Sequence, residues 1–223
     1  MRLLFSDVLV TDENHENHAK HVNIAVIGNT VEYVGEALPD GEFDRVISGN
    51  YLVMPGFYNA HCHSAMTLFR GLGGDLPLKH WLDEAILPAE DRLTPELVRL
   101  FSTEAIAEMI ACGTVAFSDM YFLCTDTARA ALDSGIKLNI ARSVVSFDED
   151  ADPAADYRVA EALELYREWN GEGDGRIKVD FSLHAEYTNT PRMCEYLADL
   201  AHKYDAGMQI HLSETEGEHL RCI

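Results

Sequence analysis

Two histidines separated by one residue follow a Pro-Gly pair in the segment PGFYNAHCHSAM, residues 55–66. Side chains alternate faces along a strand, so His61 and His63 point the same way, about 7 Å apart along the strand axis. Two imidazoles on one face can bind one divalent metal ion, whereas Cys62 faces the other side and is expected to pack. An isolated H-x-H pair also arises by chance in a chain with 10 histidines, so the motif needs support from elsewhere.

A second candidate group lies in the segment HLSE, residues 211–214, at the end of a later apolar run. His211 supplies a third neutral imidazole, and zinc or ferrous iron with an open position binds a water whose pKa falls to about 7. Glu214 is close enough to that position to handle the proton without occupying the metal. In the alternative interpretation, both residues belong to a helix N-terminus, where Glu214 stabilises the helix dipole and His211 bonds to the backbone.

The elements that must position these residues are short apolar strands alternating with amphipathic helices, a pattern typical of a parallel sheet covered by helices. The predicted strands are LVMPGFYNAH, TVAFSDMY, KLNIARSVV, IKVDFSLHAE and GMQIHLSE. Two predicted helices begin at Thr94-Pro95 and Thr190-Pro191, each with a threonine cap and a first-turn proline. Their predicted ends are Gly113 and Gly207. Two further helices are predicted at 125–134 and 153–169, and the predicted apolar face of the first helix consists of Leu97, Leu100, Phe101, Ala105 and Met109.

The positions of the polar residues distinguish a barrel from an open sheet. Catalytic groups of a (β/α)8 barrel lie at the C-terminal ends of several strands. The candidate residues that lie at or just past a strand end are His61, His63, Arg142, His184, His211 and Glu214. No Gly-rich phosphate loop follows the first strand, which weighs against a dinucleotide fold. The sequence therefore predicts an α/β fold, with residues 55–223 forming the first part of a (β/α)8 TIM barrel.

The first 54 residues have a different pattern. Residues 3–10 and 22–35 are predicted strands with a hairpin turn at Gly28-Asn29, and a further strand runs through RVISGNYLVM. We expect a small, mainly antiparallel β unit that needs something to pack on. The polar stretch around His15 and His18 is expected to be a solvated loop.

Composition limits the classes of partner. The chain has 223 residues with 38 Asp and Glu against 17 Lys and Arg, a formal net charge of -21. Such a surface repels phosphate backbones and anionic lipids, so neither nucleic acid nor membrane is expected as a partner. The sequence has no signal peptide and no apolar run that could span a bilayer, which predicts a cytoplasmic protein. Five cysteines without a C-x-x-C pair indicate reduced thiols.

The segment MPGFYNAHCHSAMTLFRGLGGDLPLKHWLDEAILPAEDRLTPE, together with HAEYT and IHLSET, resembles the amidohydrolase superfamily. Within it, the likeness is strongest to the aminohydrolases that deaminate 5'-methylthioadenosine and S-adenosylhomocysteine. The resemblance implies a (β/α)8 barrel flanked by a small β-sandwich. It also implies that His61, His63 and His211 bind one divalent metal ion, Zn2+ by preference with Fe2+ as the alternative.

The same resemblance implies roles for six further residues. Glu214 resembles the glutamate that moves a proton from the metal-bound water to the ring nitrogen, and Glu90 resembles the glutamate that holds the ribose hydroxyls. Trp81 resembles an aromatic residue near the substrate, with helix packing as its alternative role. The remaining matches are Arg142 and Arg158, which resemble contacts to the 5' substituent, and His184 in HAEYT, a substrate-binding histidine. Arg158 is alternatively an exposed helix charge.

The resemblance predicts an enzyme, a hydrolase that deaminates a purine nucleoside, a small-molecule substrate. Guanine, a pterin or an s-triazine is the alternative substrate, because a substrate without ribose leaves Glu90 unused. The family's sixth and eighth strands supply a further metal-site histidine and an aspartate, whereas residues 53–223 hold five strand-helix units of the eight in a barrel. We therefore expect either a longer protein or a second chain to complete the barrel, with self-association favoured by the open edges. An inactive metal-binding fragment is the remaining alternative.

Overall fold

The computed structural model describes residues 1–11 and 19–222, and the loop predicted around His15 and His18 lies outside the described residues. The chain divides into two compact units, Met1–Gly56 and Phe57–Ile223. Within the described ranges, no helix is long and apolar enough to cross a membrane.

The first unit contains a five-stranded sheet in which β1 is central. Its strands are β1 (Arg2–Thr11), β2 (Ala19–Ile27), β3 (Thr30–Gly35), β4 (Arg45–Ser48) and β5 (Leu52–Val53). The predicted hairpin at Gly28 is confirmed, since this glycine has a φ of 62° between the antiparallel β2 and β3. The expectation of a mainly antiparallel unit is wrong for the last two strands, because β4 and β5 both pair parallel with β1. The described residues of this unit form one sheet, and its apolar cluster contains Val8, Val22 and Ile24.

The second unit is built on a five-stranded parallel sheet whose strands follow one another in chain order. They are β6 (Phe57–Cys62), β7 (Thr114–Tyr121), β8 (Lys137–Val144), β9 (Ile177–Ala185) and β10 (Met208–His211). The five predicted strands are thus confirmed, with one correction. The run LVMPGFYNAH is divided at Pro55-Gly56, because its first residues form β5 in the other sheet and its last residues form β6.

Helices connect the strands of this sheet and follow its last strand. They are α1 (Leu78–His80), α2 (Leu87–Glu90), α3 (Pro95–Ala111), α4 (Cys124–Ser134), α5 (Tyr157–Trp169), the single turn α6 (Glu172–Gly175), α7 (Pro191–Tyr204) and α8 (Glu216–Cys222). A π-helical turn, Trp81–Ile86, joins α1 to α2. Strand residues such as Ile140 and Val179 pack with Ala128 of α4 in a buried cluster. A second cluster joins Phe181 to Leu197 of α7.

The predicted helix starts are confirmed by their caps. The Thr94 hydroxyl accepts a hydrogen bond from the N–H of Leu97 at 3.4 Å, and the Thr190 hydroxyl accepts one from the N–H of Met193 at 3.2 Å. The predicted end of α7 at Gly207 is wrong, since the helix ends at Tyr204 and the next residue, Asp205, adopts a left-handed φ of 50°.

Two further helix predictions are corrected. The helix predicted at 153–169 begins at Tyr157, because the Asp156 carboxylate caps it there and Pro153–Ala155 form a 3-10 turn. The apolar face predicted for α3 is also wrong in part, since Leu100 is 60% exposed. The buried residues of α3 are Val98, Ser102, Ala105 and Ile106.

Candidate active site

The three histidines of the predicted metal site meet at the C-terminal end of the parallel sheet. His61 lies in β6, His63 follows that strand directly, and His211 is the last residue of β10. The distances between their ring centroids are 5.0, 5.1 and 5.1 Å. Because β6 and β10 are the two outermost of five strands, a flat sheet would separate them by about 19 Å. The sheet is therefore curled, so that histidine side chains from its two edges meet at this end.

Hydrogen bonds fix the protonated nitrogen of two of these rings. His63 Nδ1 lies 2.6 Å from the carbonyl oxygen of Met120, and His211 Nδ1 lies 2.7 Å from the carbonyl oxygen of His184. A carbonyl oxygen accepts and never donates, so each Nδ1 carries the proton and each neutral ring keeps a lone pair on Nε2. The two Nε2 atoms face each other at 3.2 Å.

This arrangement fits a cation. Two lone pairs at that separation repel each other, and a metal ion held by His63 and His211 would relieve this repulsion. The third imidazole, His61, belongs to the same group, because the ligand atoms of the three residues lie within 4.8 Å of one another. Burial lowers the pKa of His63 to about 4, with smaller contributions from the neighbouring histidines, so the ring is neutral near pH 7. Neutral imidazole is the form that binds zinc.

A fourth histidine lies beside this group. The His184 ring centroid is 5.0 Å from that of His211, and its Nδ1 is 3.3 Å from the Thr188 hydroxyl. Burial and, to a smaller extent, the nearby His211 lower the pKa of His184 to about 4. His184 is thus a half-buried neutral ring next to the other three.

Glu90 lies at the end of α2, where the Tyr121 hydroxyl donates a hydrogen bond to Glu90 Oε1 at 2.6 Å. Burial raises the pKa of this carboxyl group, although the hydrogen bond from Tyr121 lowers it. The Tyr121 ring centroid is 6.2 Å from that of His63, so Tyr121 lies between the Glu90 carboxylate and the histidines.

Trp81 begins the π-helical turn, and its indole N–H donates to the carbonyl oxygen of Leu72 at 2.9 Å. Together with Met66, Phe69 and Leu76 it lines a cavity of about 500 Å³. The side chain therefore lines open space and is not enclosed by helix packing.

The other three predicted site residues lie outside the histidine group. Glu214 is exposed and follows Ser213, whose left-handed φ of 54° turns the chain away from β10. Arg142 points to α5, where its Nε lies 2.7 Å from Glu161 Oε2. Arg158 binds both carboxylate oxygens of Asp156, at 2.9 and 2.8 Å.

Sequence reasoning missed one buried residue behind the histidines, Asp119 in β7. It is 0% exposed, and its Oδ2 accepts hydrogen bonds from the backbone N–H of Ser64 at 3.0 Å and from the Ser64 hydroxyl. Burial raises its pKa to about 6 against the lowering effect of these hydrogen bonds. The available signal was an aspartate inside the otherwise apolar run TVAFSDMY, since charged side chains are rarely buried without a partner.

The chain combines a parallel sheet with a group of histidines at the C-terminal end of that sheet. A model of the amidohydrolase family matches residues 52–223, and the chain belongs to this family. It is 39% identical over 219 residues to a 5-methylthioadenosine/S-adenosylhomocysteine deaminase of Caldanaerobacter subterraneus subsp. tengcongensis, covering 98% of this chain and 50% of the relative. A 5'-deoxyadenosine deaminase of Methanobrevibacter smithii is 35% identical over 217 residues, covering 97% and 49%.

A solved structure also has a similar fold. The crystal structure of an adenosine deaminase from Xanthomonas campestris with bound zinc matches with a TM-score of 0.85 and 28% identity, and the match covers 98% of this chain and 51% of that chain. The chain thus spans about half the length of the curated relatives it matches.

Proposed function

We propose that the protein is a metal-dependent hydrolase that deaminates a purine nucleoside of the 5'-methylthioadenosine type. The observation that carries this proposal is the pair of Nε2 atoms 3.2 Å apart on His63 and His211, each ring held in the tautomer whose lone pair faces the other. Relatives at 39% and 35% identity that are named as deaminases of adenosine derivatives support the choice of reaction.

The metal would be held by His61, His63 and His211. Three imidazoles are a zinc ligand set, with Fe2+ as the alternative ion. When bound, such an ion supplies Lewis acidity and lowers the pKa of a coordinated water. The zinc named for the adenosine deaminase structure supports the choice of ion.

Glu214 would transfer the proton. Its exposed carboxylate, three residues beyond His211, takes a proton from the attacking water and delivers it to the ring nitrogen beside the amino-bearing carbon. The water oxygen forms the new C–O bond, the second proton of the water moves to the amino group, the C–N bond breaks, and the amino group leaves as ammonia. His184, a neutral ring next to His211, would contact the substrate at the same opening, and Trp81 would border it.

Glu90 would recognise ribose. Its carboxylate is half-buried and receives one hydrogen bond from Tyr121, and burial raises its pKa. A half-buried carboxylate is costly unless further donors satisfy it, and two vicinal hydroxyls supply such donors. A nucleoside therefore suits this residue better than a free base does.

The two arginines assigned to the 5' substituent each have a carboxylate partner, Glu161 for Arg142 and Asp156 for Arg158. A second carboxylate on the substrate must compete with these ion pairs. We therefore propose that the preferred 5' substituent carries no carboxylate, as in 5'-methylthioadenosine or 5'-deoxyadenosine, and that S-adenosylhomocysteine is a poorer substrate.

We also propose that the curled five-stranded parallel sheet would be the first part of a (β/α)8 barrel, and that residues 1–54 would contribute one sheet of a β-sandwich. The strand order and the histidines at the C-terminal ends of the strands support this assignment.

The test combines metal analysis with ammonia release from 5'-methylthioadenosine, using protein expressed from its complete gene. We expect about one metal ion per chain and turnover. Glu214→Gln should abolish turnover and keep the metal, while the control Glu216→Gln, an exposed glutamate in the first turn of α8, should retain both. Turnover by Glu214→Gln would remove this residue from the mechanism, and protein without metal would refute the proposed chemistry.

A further inference from the structure

Three consecutive residues at the end of β7 contact different parts of the candidate site. Asp119 accepts two hydrogen bonds from Ser64, the residue that follows His63. The carbonyl oxygen of Met120 accepts the Nδ1 proton of His63. The hydroxyl of Tyr121 donates to Glu90. All three polar contacts are therefore made by one short segment of a single strand.

The first contact holds the chain where it leaves β6. Ser64 opens the 3-10 helix Ser64–Phe69, so its N–H and hydroxyl define the bend that comes directly after His63. The Ser64 hydroxyl also lies 3.0 Å from the hydroxyl of Ser102 in α3, which lies 3.1 Å from that of Thr127 in α4. The side chains of Asp119, Ser64, Ser102 and Thr127 are all buried, with 0 or 1% exposed. The bend is thus tied to one strand and two helices.

The third contact, from the Tyr121 hydroxyl, fixes one oxygen of Glu90. Tyr121 is 5% exposed, and its ring stacks on Phe122 at a centroid distance of 4.3 Å. The phenol is therefore held in place independently of the carboxylate it contacts. Its hydrogen bond to Oε1 leaves Oε2 of Glu90 to face other donors.

Strand β7 is hydrogen-bonded to a neighbouring strand along each of its edges. β7 pairs with β6 on one side and with β8 on the other, and Cys62 lies opposite Asp119 in the register. The segment is therefore bonded along both edges. A displacement of this segment would move His63 and Glu90 together.

We propose that Asp119 and Tyr121 are positioning residues: Asp119 sets the orientation of His63 through Ser64, and Tyr121 sets the orientation of Glu90. The inference rests on the proposed function, because it assigns His63 to the metal and Glu90 to ribose. Asp119 should therefore affect metal affinity, and Tyr121 should affect the Michaelis constant for the nucleoside.

Asp119 is tested by metal affinity. Asp119→Ala leaves two buried donors of Ser64 without their acceptor, and Zn2+ affinity, measured by competition with a chromophoric chelator, should fall about tenfold to a hundredfold. Asp119→Asn keeps an acceptor oxygen and should stay within about fivefold of wild type. The control is Asp126→Asn in α4, a largely buried aspartate whose side chain bonds to Arg129, and it should leave affinity unchanged.

Tyr121 is tested by the Michaelis constant. Tyr121→Phe should raise KM for 5'-methylthioadenosine about tenfold, because the charged acceptor Glu90 loses a hydrogen bond. Neither kcat nor Zn2+ affinity should change, since no atom of the phenol contacts a histidine of the metal group by hydrogen bond. If Asp119→Ala does not fold, Ser64→Ala, which removes the hydroxyl alone, takes its place and should also weaken Zn2+ binding.

Normal Zn2+ affinity in folded Asp119→Ala or in its Ser64→Ala replacement would overturn the role of Asp119. An unchanged KM in Tyr121→Phe, or equal losses of metal affinity in both variants, would overturn the role of Tyr121. A wild-type protein that neither binds Zn2+ nor deaminates the nucleoside would overturn the proposed function and this inference with it. Normal wild-type behaviour with unchanged variants would overturn the inference alone.

Discussion

Acid should destabilise the metal-free protein through His63. Burial lowers the pKa of this histidine from 6.5 to about 4 in the folded state. Between these two pH values, the unfolded chain binds a proton at His63 that the folded chain does not bind. The free energy of unfolding therefore falls as the pH falls through this window, and the contribution is fully present only above pH 6.5.

The magnitude follows from the difference between the two pKa values. At about 1.4 kcal/mol per pKa unit, the complete loss is about 3 kcal/mol, of which about 2 kcal/mol has occurred by pH 5. In the folded state, protonation must occur at Nε2, since Nδ1 already donates to Met120. The added proton then points at His211 Nε2, 3.2 Å away.

The assay is urea denaturation at pH 7.5 and pH 5 in the presence of a chelator. His63→Gln should lose about 2 kcal/mol less stability than wild type between these two conditions. The control is His80→Gln, whose imidazole is 61% exposed beside Glu84 and which should behave as wild type does. Other groups titrate in all three proteins and cancel in the comparison, including Asp119, whose raised pKa acts in the opposite direction. Equal losses in wild type and His63→Gln would refute the reasoning.

The remaining predictions concern packing, specificity and charge. Gly207→Ala would place a Cβ atom 2.7 Å from Asp180 Oδ2, next to the hydrogen bond from the Gly207 N–H, and should cost about 1 to 3 kcal/mol in urea denaturation. Gly74→Ala, with open space around it, should cost far less, and equal midpoints would contradict the argument. Glu161→Gln should free Arg142 and raise kcat/KM for S-adenosylhomocysteine relative to 5'-methylthioadenosine, whereas an unchanged ratio would contradict the proposed 5' preference. Because the net charge is -21, the melting temperature should rise between 0.1 and 1 M salt, where the screening length falls from about 10 to about 3 Å, and a constant value would contradict self-repulsion.

Local sequence predicted most elements of the second unit. The strand TVAFSDMY corresponds to β7 residue for residue, and the threonine caps at Thr94 and Thr190 mark the starts of α3 and α7. These features depend on neighbours within a few residues, because a cap needs only its own first turn and strand propensity needs only an apolar run between turns. They could therefore be inferred from the chain alone.

Features that depend on distant partners were predicted less well. Leu100 was assigned to the buried face of α3, whereas the structure buries Ser102, whose hydroxyl finds partners on Ser64 and Thr127. Hydrophobicity alone ranks leucine above serine for burial, and only the positions of those partners reverse the order. The parallel pairing of β4 with β1 is a similar case, since the direction of a strand relative to its neighbour is set by the path of the chain between them.

The candidate site also combines features that follow from local sequence with features that depend on the whole sheet. The residue types and their places near strand ends follow from the sequence alone: His61 and His63 lie at the end of one strand, and His211 lies at the end of another, 148 residues from His63. The meeting of these three imidazoles depends on the curl of the whole sheet. Each pair of neighbouring strands adds a small rotation to the sheet, and the accumulated curl of five strands turns side chains from its two outermost strands toward each other at the C-terminal end. No local pattern encodes that closure, because it is a sum over the whole sheet.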